Sequence, residues 1–260
     1  MKTKINKNPE KQEFLYKRNF PIYEINLKDI KVDKKILHDK LNPKVWEGEK
    51  INPEVKEQLL KIAHEFYNFL DLPIPVEDII LTGSLANFNY TRYSDFDVHL
   101  VVDFSKINSD QNLVSEFFKT KNALWEIKHD IKVEGFPVQL YVQDKNEKHY
   151  SKAIFSLKNN KWISKPAYKD FEIDTETLKS KIKKIVDKIE NLEKYKTNPE
   201  MLYIYAKDLK DQIMNMRQSG LESNGEFSLE NIAFKYLRNG GYITRLKDAI
   251  TSSFDKIYTK

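Results

Sequence analysis

Two aspartates stand two residues apart at the head of an apolar run: Asp95 and Asp97 in SDFDVHLVVD, residues 94–103. If that run is a strand, both carboxylates leave the same face, about 6.6 Å apart at roughly 3.3 Å per residue. A pair so placed can hold Mg²⁺ ions about 3.5 to 4 Å apart, the arrangement of two-metal phosphoryl transfer. Carboxylates at the edge of an apolar sheet cost solvation energy, so they require a partner, and a metal ion suits them. Asp103 would stand roughly 20 Å beyond Asp97 and is no co-ligand. Upstream, separated by residues 85–93, lies Gly83-Ser84. It offers a turn with no side chain at its closest point, a hydroxyl, and backbone N–H groups at the start of a short segment, all suited to a triphosphate. No Walker-type Gly-x-x-x-x-Gly-Lys occurs, so such a cradle is not a P-loop.

The elements that must position these residues are legible on either side. Asn52 reads as an N-cap with Pro53 at the first helical position, and Leu59, Ile62, Ala63, Phe66 and Leu70 repeat at helical spacing to about residue 71. Pro73 and Pro75 end that helix, and the β-branched run 79–82 reads as a buried strand stopping at Gly83. Phe96, Val98, Leu100 and Val102 alternate with Asp95, Asp97, His99 and Val101, the period of a strand with one apolar face. Leu113, Phe117, Ala123, Leu124 and Ile127 suit a helix covering the sheet. Residues 131–134 and 138–142 read as strands joined at Gly135-Phe136-Pro137, and 153–157 and 162–164 as another pair around Asn159-Asn160. From Asp174 the strand signals vanish. Helices are expected over Leu178 to Leu192, over Leu202 to Met216 with closure near Gly220, after the cap Ser228, and beyond Gly240-Gly241.

The fold class that follows is α+β, a mixed sheet flanked by helices and followed by a C-terminal helical domain. The expected divisions are an N-terminal arm over 1–50, a sheet domain over 51–170 and a helical domain over 171–260. The arm is expected because Phe14, Tyr16, Phe20 and Tyr23 are scattered among lysines with little periodicity.

The chain of 260 residues is 40% hydrophobic, ample for a core. Its lack of cysteine excludes disulfides and thiolate zinc sites. No stretch approaches the roughly 20 apolar residues of a membrane span, so a soluble, cytoplasmic protein is expected. Net charge is +5, which permits an anionic partner. Only five of the 44 basic residues are arginine, Arg18, Arg92, Arg217, Arg238 and Arg245. The lysine excess, with many Asn and Ile, is the bias of an AT-rich coding sequence and explains most of the charge without a nucleic acid.

The strand, Gly83-Ser84, short helix and Ser94-Asp95-Phe96-Asp97 together resemble the signature of the DNA polymerase β-like nucleotidyltransferase superfamily. More narrowly, LTGSLANFNYTRYSDFDVHLVVD (81–103), GFPVQLYVQD (135–144) and GEFSLENIAFKYLRNGG (225–241) are similar to predicted nucleotidyltransferases of tailed bacteriophages. The resemblance covers about 43–165 and, more loosely, 220–250. It implies an enzyme that moves a nucleoside monophosphate from an NTP to an acceptor hydroxyl on RNA, a small molecule or a protein. It also implies Mg²⁺ or Mn²⁺ on Asp95 and Asp97, nucleotide contacts from Gly83, Ser84 and Ser94, and the host cytoplasm if the chain is phage-encoded. Arg92, just before the aspartates, is a further candidate nucleotide contact because a guanidinium suits bidentate bonds to phosphate. The superfamily's third carboxylate is expected at residue 139, which here is Gln139. An amide can lend a metal its carbonyl oxygen but cannot accept a proton as a carboxylate does. Glu134 or Asp144 could take that role only in a register that turns apolar side chains outward. Two other classes stay open: a nucleotide-binding module with impaired catalysis, and a phage structural or assembly component.

Overall fold

The computed structural model describes residues 38–149, 151–167 and 174–259. Of the residues read as an N-terminal arm, 1–37 lie outside the described residues. In the rest, Leu41, Val45 and Trp46 are buried, and strand β1 (Trp46–Glu47) pairs antiparallel with β2 (Lys50–Ile51). The Trp46 indole donates to the Leu85 carbonyl at 2.7 Å, tying this ribbon to the segment after the Gly-Ser turn.

Helix α1 (Pro53–Leu70) begins where the cap residues direct it. Asn52 Oδ1 accepts from the Glu54 N–H at 2.9 Å, and Pro53 occupies the first helical position. Val55, Leu59, Ala63, Phe66 and Leu70 form its buried stripe, and the chain leaves the helix through Asp71 at φ 54°. Six strands follow: β3 (Asp78–Thr82), β4 (Phe96–Val102), β5 (Lys132–Val133), β6 (Phe136–Asp144), β7 (Ile154–Ser156) and β8 (Lys161–Ser164). They form one sheet in the order β5-β6-β4-β3-β7-β8. Only the central β4–β6 pair is parallel, because helix α2 (Gln111–Lys128) and the β5–β6 hairpin intervene in the chain between them. Phe96, Val98 and Leu100 are wholly buried on one face of β4. Each large side chain so buried contributes about 1.5–3 kcal/mol, and a one-residue slip would forfeit all of them at once. The register that sends Asp97 and His99 to the opposite face is therefore strongly enforced.

Three local expectations are corrected. In α2 the expected apolar stripe is exposed, with Leu113 58% and Ile127 56% accessible, while Val114, Phe118 and Trp125 face the core. Both stripes repeat at helical spacing about one residue apart; the one carrying the larger rings prevails by packing Phe118 on Phe104 and Trp125 on Phe66. The β5–β6 turn is tighter than expected: Glu134 and Gly135, at φ 51° and 84°, make the whole loop, and Phe136-Pro137 already belong to β6.

The third correction lies among the C-terminal helices α3 (Thr175–Glu190), α4 (Pro199–Asn224), α5 (Leu229–Asn239) and α6 (Tyr242–Tyr258). Helix α4 runs through Gly220 and closes at Gly225. Gly220 is there for proximity, since a Cβ would lie 2.5 Å from Glu230 Cβ and 2.7 Å from Ser228 Oγ. The Ser228 hydroxyl caps α5 by accepting from Asn231 N–H, as expected. These helices share one apolar cluster, built on Leu178, Ile182, Ala206, Phe234, Leu237 and Leu246, distinct from the cluster under the sheet. Among the described residues no helix is long and apolar enough to cross a membrane.

Candidate active site

Strand β3 ends at Thr82, and Gly83 turns the chain at φ 75°, ψ −161°, a combination open essentially to glycine. The turn also leaves no space: a Cβ on Gly83 would fall 1.9 Å from Asp97 Oδ2. The Asp97 carboxylate therefore lies directly against the bare backbone of the Gly-Ser turn. A short 3-10 segment, Ser84–Ala86, follows. The Ser84 and Ser94 hydroxyls are hydrogen bonded at 2.8 Å, and Ser94 Oγ accepts from Thr91 N–H at 2.9 Å. These bonds close the loop over 85–93 and bring the turn beside Asp95.

Across the sheet, Asp97 pairs with Thr82 on β3 and with Gln139 on β6. Paired residues on neighbouring strands point the same way, about 4.8 Å apart, so Gln139 stands beside Asp97. Its Oε1 accepts from the Tyr141 hydroxyl. Burial, with Asp97 and Asp95 nearby, pushes the Tyr141 hydroxyl pKa well up. Neither alternative acid joins them: Glu134 sits in the β5–β6 turn, and Asp144 pairs with Val102 and accepts from Phe104 N–H at 2.9 Å. Asp103 bonds Lys145 Nζ at 2.7 Å in a separate ion cluster at the far end of β4. Arg92 is exposed, with its guanidinium over the Tyr93 ring at 4.6 Å.

His99 shares the face of Asp97. Its Nε2 lies 3.4 Å from Thr82 Oγ1, its ring lies against Tyr141 with centroids 4.9 Å apart, and its Nδ1 is buried without a partner among the described residues. Burial, with His149 adding to it, holds its pKa down to about 4, so the ring is neutral. It does not act as a cation beneath the carboxylates.

The opposite wall was not legible in the strand motif. Arg238 on α5 brings Nη1 to 3.7 Å from Asp95 Oδ2. Lys235, one turn earlier, is half-buried, and desolvation lowers its pKa against the opposing pull of Glu226, Asp97 and Asp95. Arg217 on α4 lies over the Phe234 ring at 4.4 Å and donates from Nε to Asn231 Oδ1 at 3.3 Å. Burial first, then Asp95, push the Asp97 carboxyl up to about 8, while Arg238, Lys235 and Arg217 pull the other way. Two signals could have found this wall. Arg217 and Arg238 are two of five arginines in a lysine-rich chain, and Asn231, Lys235 and Arg238 recur at i, i+4 and i+7 on a helix whose other residues are mostly apolar.

The donor set is compatible with a divalent metal ion. Among the described residues no group of three or more His, Asp or Glu side chains gathers, so there is no all-protein cage. Two crowded carboxylates, one with a raised pKa, suit a divalent ion such as Mg²⁺, which completes its shell with water and substrate phosphates.

Residues 56–163, from α1 through β8, match the family model described as the nucleotidyltransferase domain. This part of the chain, which carries both the Gly-Ser turn and the aspartate pair, is thus similar to the nucleotidyltransferase domain. A solved structure of a STING-associated CdnE c-di-GMP synthase from Capnocytophaga granulosa is similar at 11% identity, covering 96% of this chain and 94% of that one, with a TM-score of 0.24. No curated protein matches the chain.

Proposed function

We propose that this protein transfers a nucleoside monophosphate from an NTP to an acceptor hydroxyl on RNA, a small molecule or a protein. The acceptor oxygen attacks the α-phosphorus, the bond to the bridging oxygen breaks, and pyrophosphate leaves. Gly83, Ser84 and Ser94 bind the triphosphate, and Asp95 and Asp97 hold Mg²⁺ or Mn²⁺. Bound there, such an ion supplies charge neutralisation and polarises the phosphoryl oxygens. Arg217, Lys235 and Arg238 face the same hollow and offset phosphate charge from the other side, while Arg92 reaches it from the rim. The sheet unit over 51–170 and the helical unit over 171–260 form the two walls of the cleft. The observation that supports this reading is the contact between Gly83 and Asp97, which sets the phosphate-suited turn against one of the two metal-suited acids.

The test is incubation with each labelled NTP, Mg²⁺ or Mn²⁺, and total RNA or protein extract. Label should pass to one acceptor class, and Asp95→Ala or Asp97→Ala should lower transfer by at least about 10²-fold, as loss of electrostatic stabilisation at a phosphoryl centre does. Unchanged transfer in both variants would remove the motif from the mechanism.

A second reading is favoured by one observation, the amide of Gln139 beside Asp97. On that reading the chain is a nucleotide-binding module whose transfer is slow. It predicts Mg²⁺-dependent NTP binding without turnover under the same conditions.

A further inference from the structure

The polar group that the proposed chemistry does not use is Glu226. It belongs to the short 3-10 segment Gly225–Phe227 between α4 and α5, yet its side chain is buried at 8% exposure against the sheet unit. Oε1 accepts from Asn87 Nδ2 at 2.8 Å and from Lys152 N–H at 3.5 Å, and Oε2 accepts from Asn89 Nδ2 at 3.1 Å. Asn87 follows the 3-10 segment at Ser84, and its N–H bonds the Ser84 carbonyl at 3.1 Å. Asn87 Oδ1 meanwhile accepts from Phe88 N–H, so both ends of that amide are engaged. In the other direction, the Glu226 carbonyl accepts from Asn231 Nδ2 at 2.8 Å, and Asn231 Oδ1 accepts from Arg217 Nε. Asn231 stands on the helical face that carries Lys235 and Arg238. A continuous hydrogen-bonded chain thus runs from the exit of the Gly-Ser turn to the basic wall, with a buried carboxylate at its centre. Charge-assisted bonds of this kind are roughly twice as strong as neutral ones and are directional. Chain segments nearly 140 residues apart are held by them in one geometry.

We propose that Glu226 is a positioning residue, a strut that sets the separation between the Gly83-Ser84 turn and the basic face of α5. For its kinetic consequence the inference rests on the nucleotide site proposed above. Asp97 sits on β4 and Asp95 directly precedes it, and the register of that strand is enforced by its own buried face, so the strut does not hold them. Removing it loosens NTP binding more than it slows transfer from bound NTP.

The test has a structural arm that needs no substrate. The chain has no cysteine, so Glu65→Cys on α1 and Lys188→Cys on α3 give two exposed spin-label sites without background. In that frame the label distance should be single and narrow, and Glu226→Ala should broaden it. Asn87→Asp, which sets two carboxyl groups face to face, should broaden it too, and adding Glu226→Gln should restore it by exchanging donor and acceptor. In the kinetic arm, Glu226→Ala should raise KM for the NTP about tenfold or more with kcat within about threefold, and the exchanged pair should recover KM. An unchanged distance in Glu226→Ala overturns the strut. So does an exchanged pair that restores the distance and leaves KM high. If the parent frame binds and transfers no NTP, the functional reading falls alone, and the distances still decide the strut.

Discussion

Gln139 is where this site departs from a three-acid arrangement, and its surroundings say what that departure does. The parallel β4–β6 register sets it beside Asp97, and its carbonyl oxygen is already taken by Tyr141. Asp97 itself is pushed up by burial and by Asp95, which means the hollow tolerates two carboxylates poorly when no cation is bound. A third acid would add repulsion in the free protein and metal affinity in the loaded one. Gln139→Glu should therefore lower the Tm without Mg²⁺, and raise the transfer rate at saturating Mg²⁺ by on the order of a hundredfold or more, the scale of a positioned proton acceptor. Thermal unfolding and single-turnover transfer, each with and without Mg²⁺, check both halves. A rate that stays level would show that proton transfer does not pass through this place in the sheet.

At the scale of elements, the strands that carry the site are pinned at their far ends. Asp103, just past β4, accepts from Lys145 Nζ beyond β6, and from the Ser105 hydroxyl and N–H. The Lys145 bond first, then Ser105, hold its carboxyl down to about 2 against an ordinary 3.8. A folded pKa below the unfolded one stabilises above about pH 4, and the contribution disappears as pH falls through about 2. Asp103→Asn should thus lower the Tm at pH 7, and the difference from wild type should close by pH 2; thermal melts across that range measure it. How much of the architecture could be read beforehand also divides by element. The Asn52-Pro53 cap, the Gly83 stop and the alternation along β4 are local signals with local causes, and the structure keeps each of them. The buried face of α2 was not legible, because Leu113 and Val114 start equally good stripes and only the rings of Phe66 and Phe104 choose between them. Gly220 read as a helix end for the same reason: the close approach of Ser228 and Glu230 that calls for it is tertiary. The acids of the site could be read from one strand, whereas Arg217, Lys235, Arg238 and Glu226 reach it only through packing between distant segments.

For the whole molecule, the candidate site draws on two units that each have their own apolar cluster, one beneath the sheet and one among the helices. The carboxylates come from the first unit and the basic groups from the second, joined directly by the 3.7 Å contact between Arg238 and Asp95. A ligand with a cation on one side and phosphates on the other satisfies both walls at once and draws on the stability of both. Binding only the folded state at a hundred times Kd adds about 2.7 kcal/mol. For a chain of this size that corresponds to a rise in Tm of roughly 5 to 10 °C. Mg²⁺ with an NTP should therefore raise the Tm by this amount as one transition, because a bridging ligand couples the two clusters. NTP without Mg²⁺ should give much less, since the phosphates then meet Asp95 and Asp97 uncompensated. Asp95→Ala should remove most of the Mg²⁺-dependent part, and Arg238→Ala most of the remainder. A shift confined to one of two separate transitions would instead put the ligand on a single wall and leave the opposing basic groups without a part in binding it.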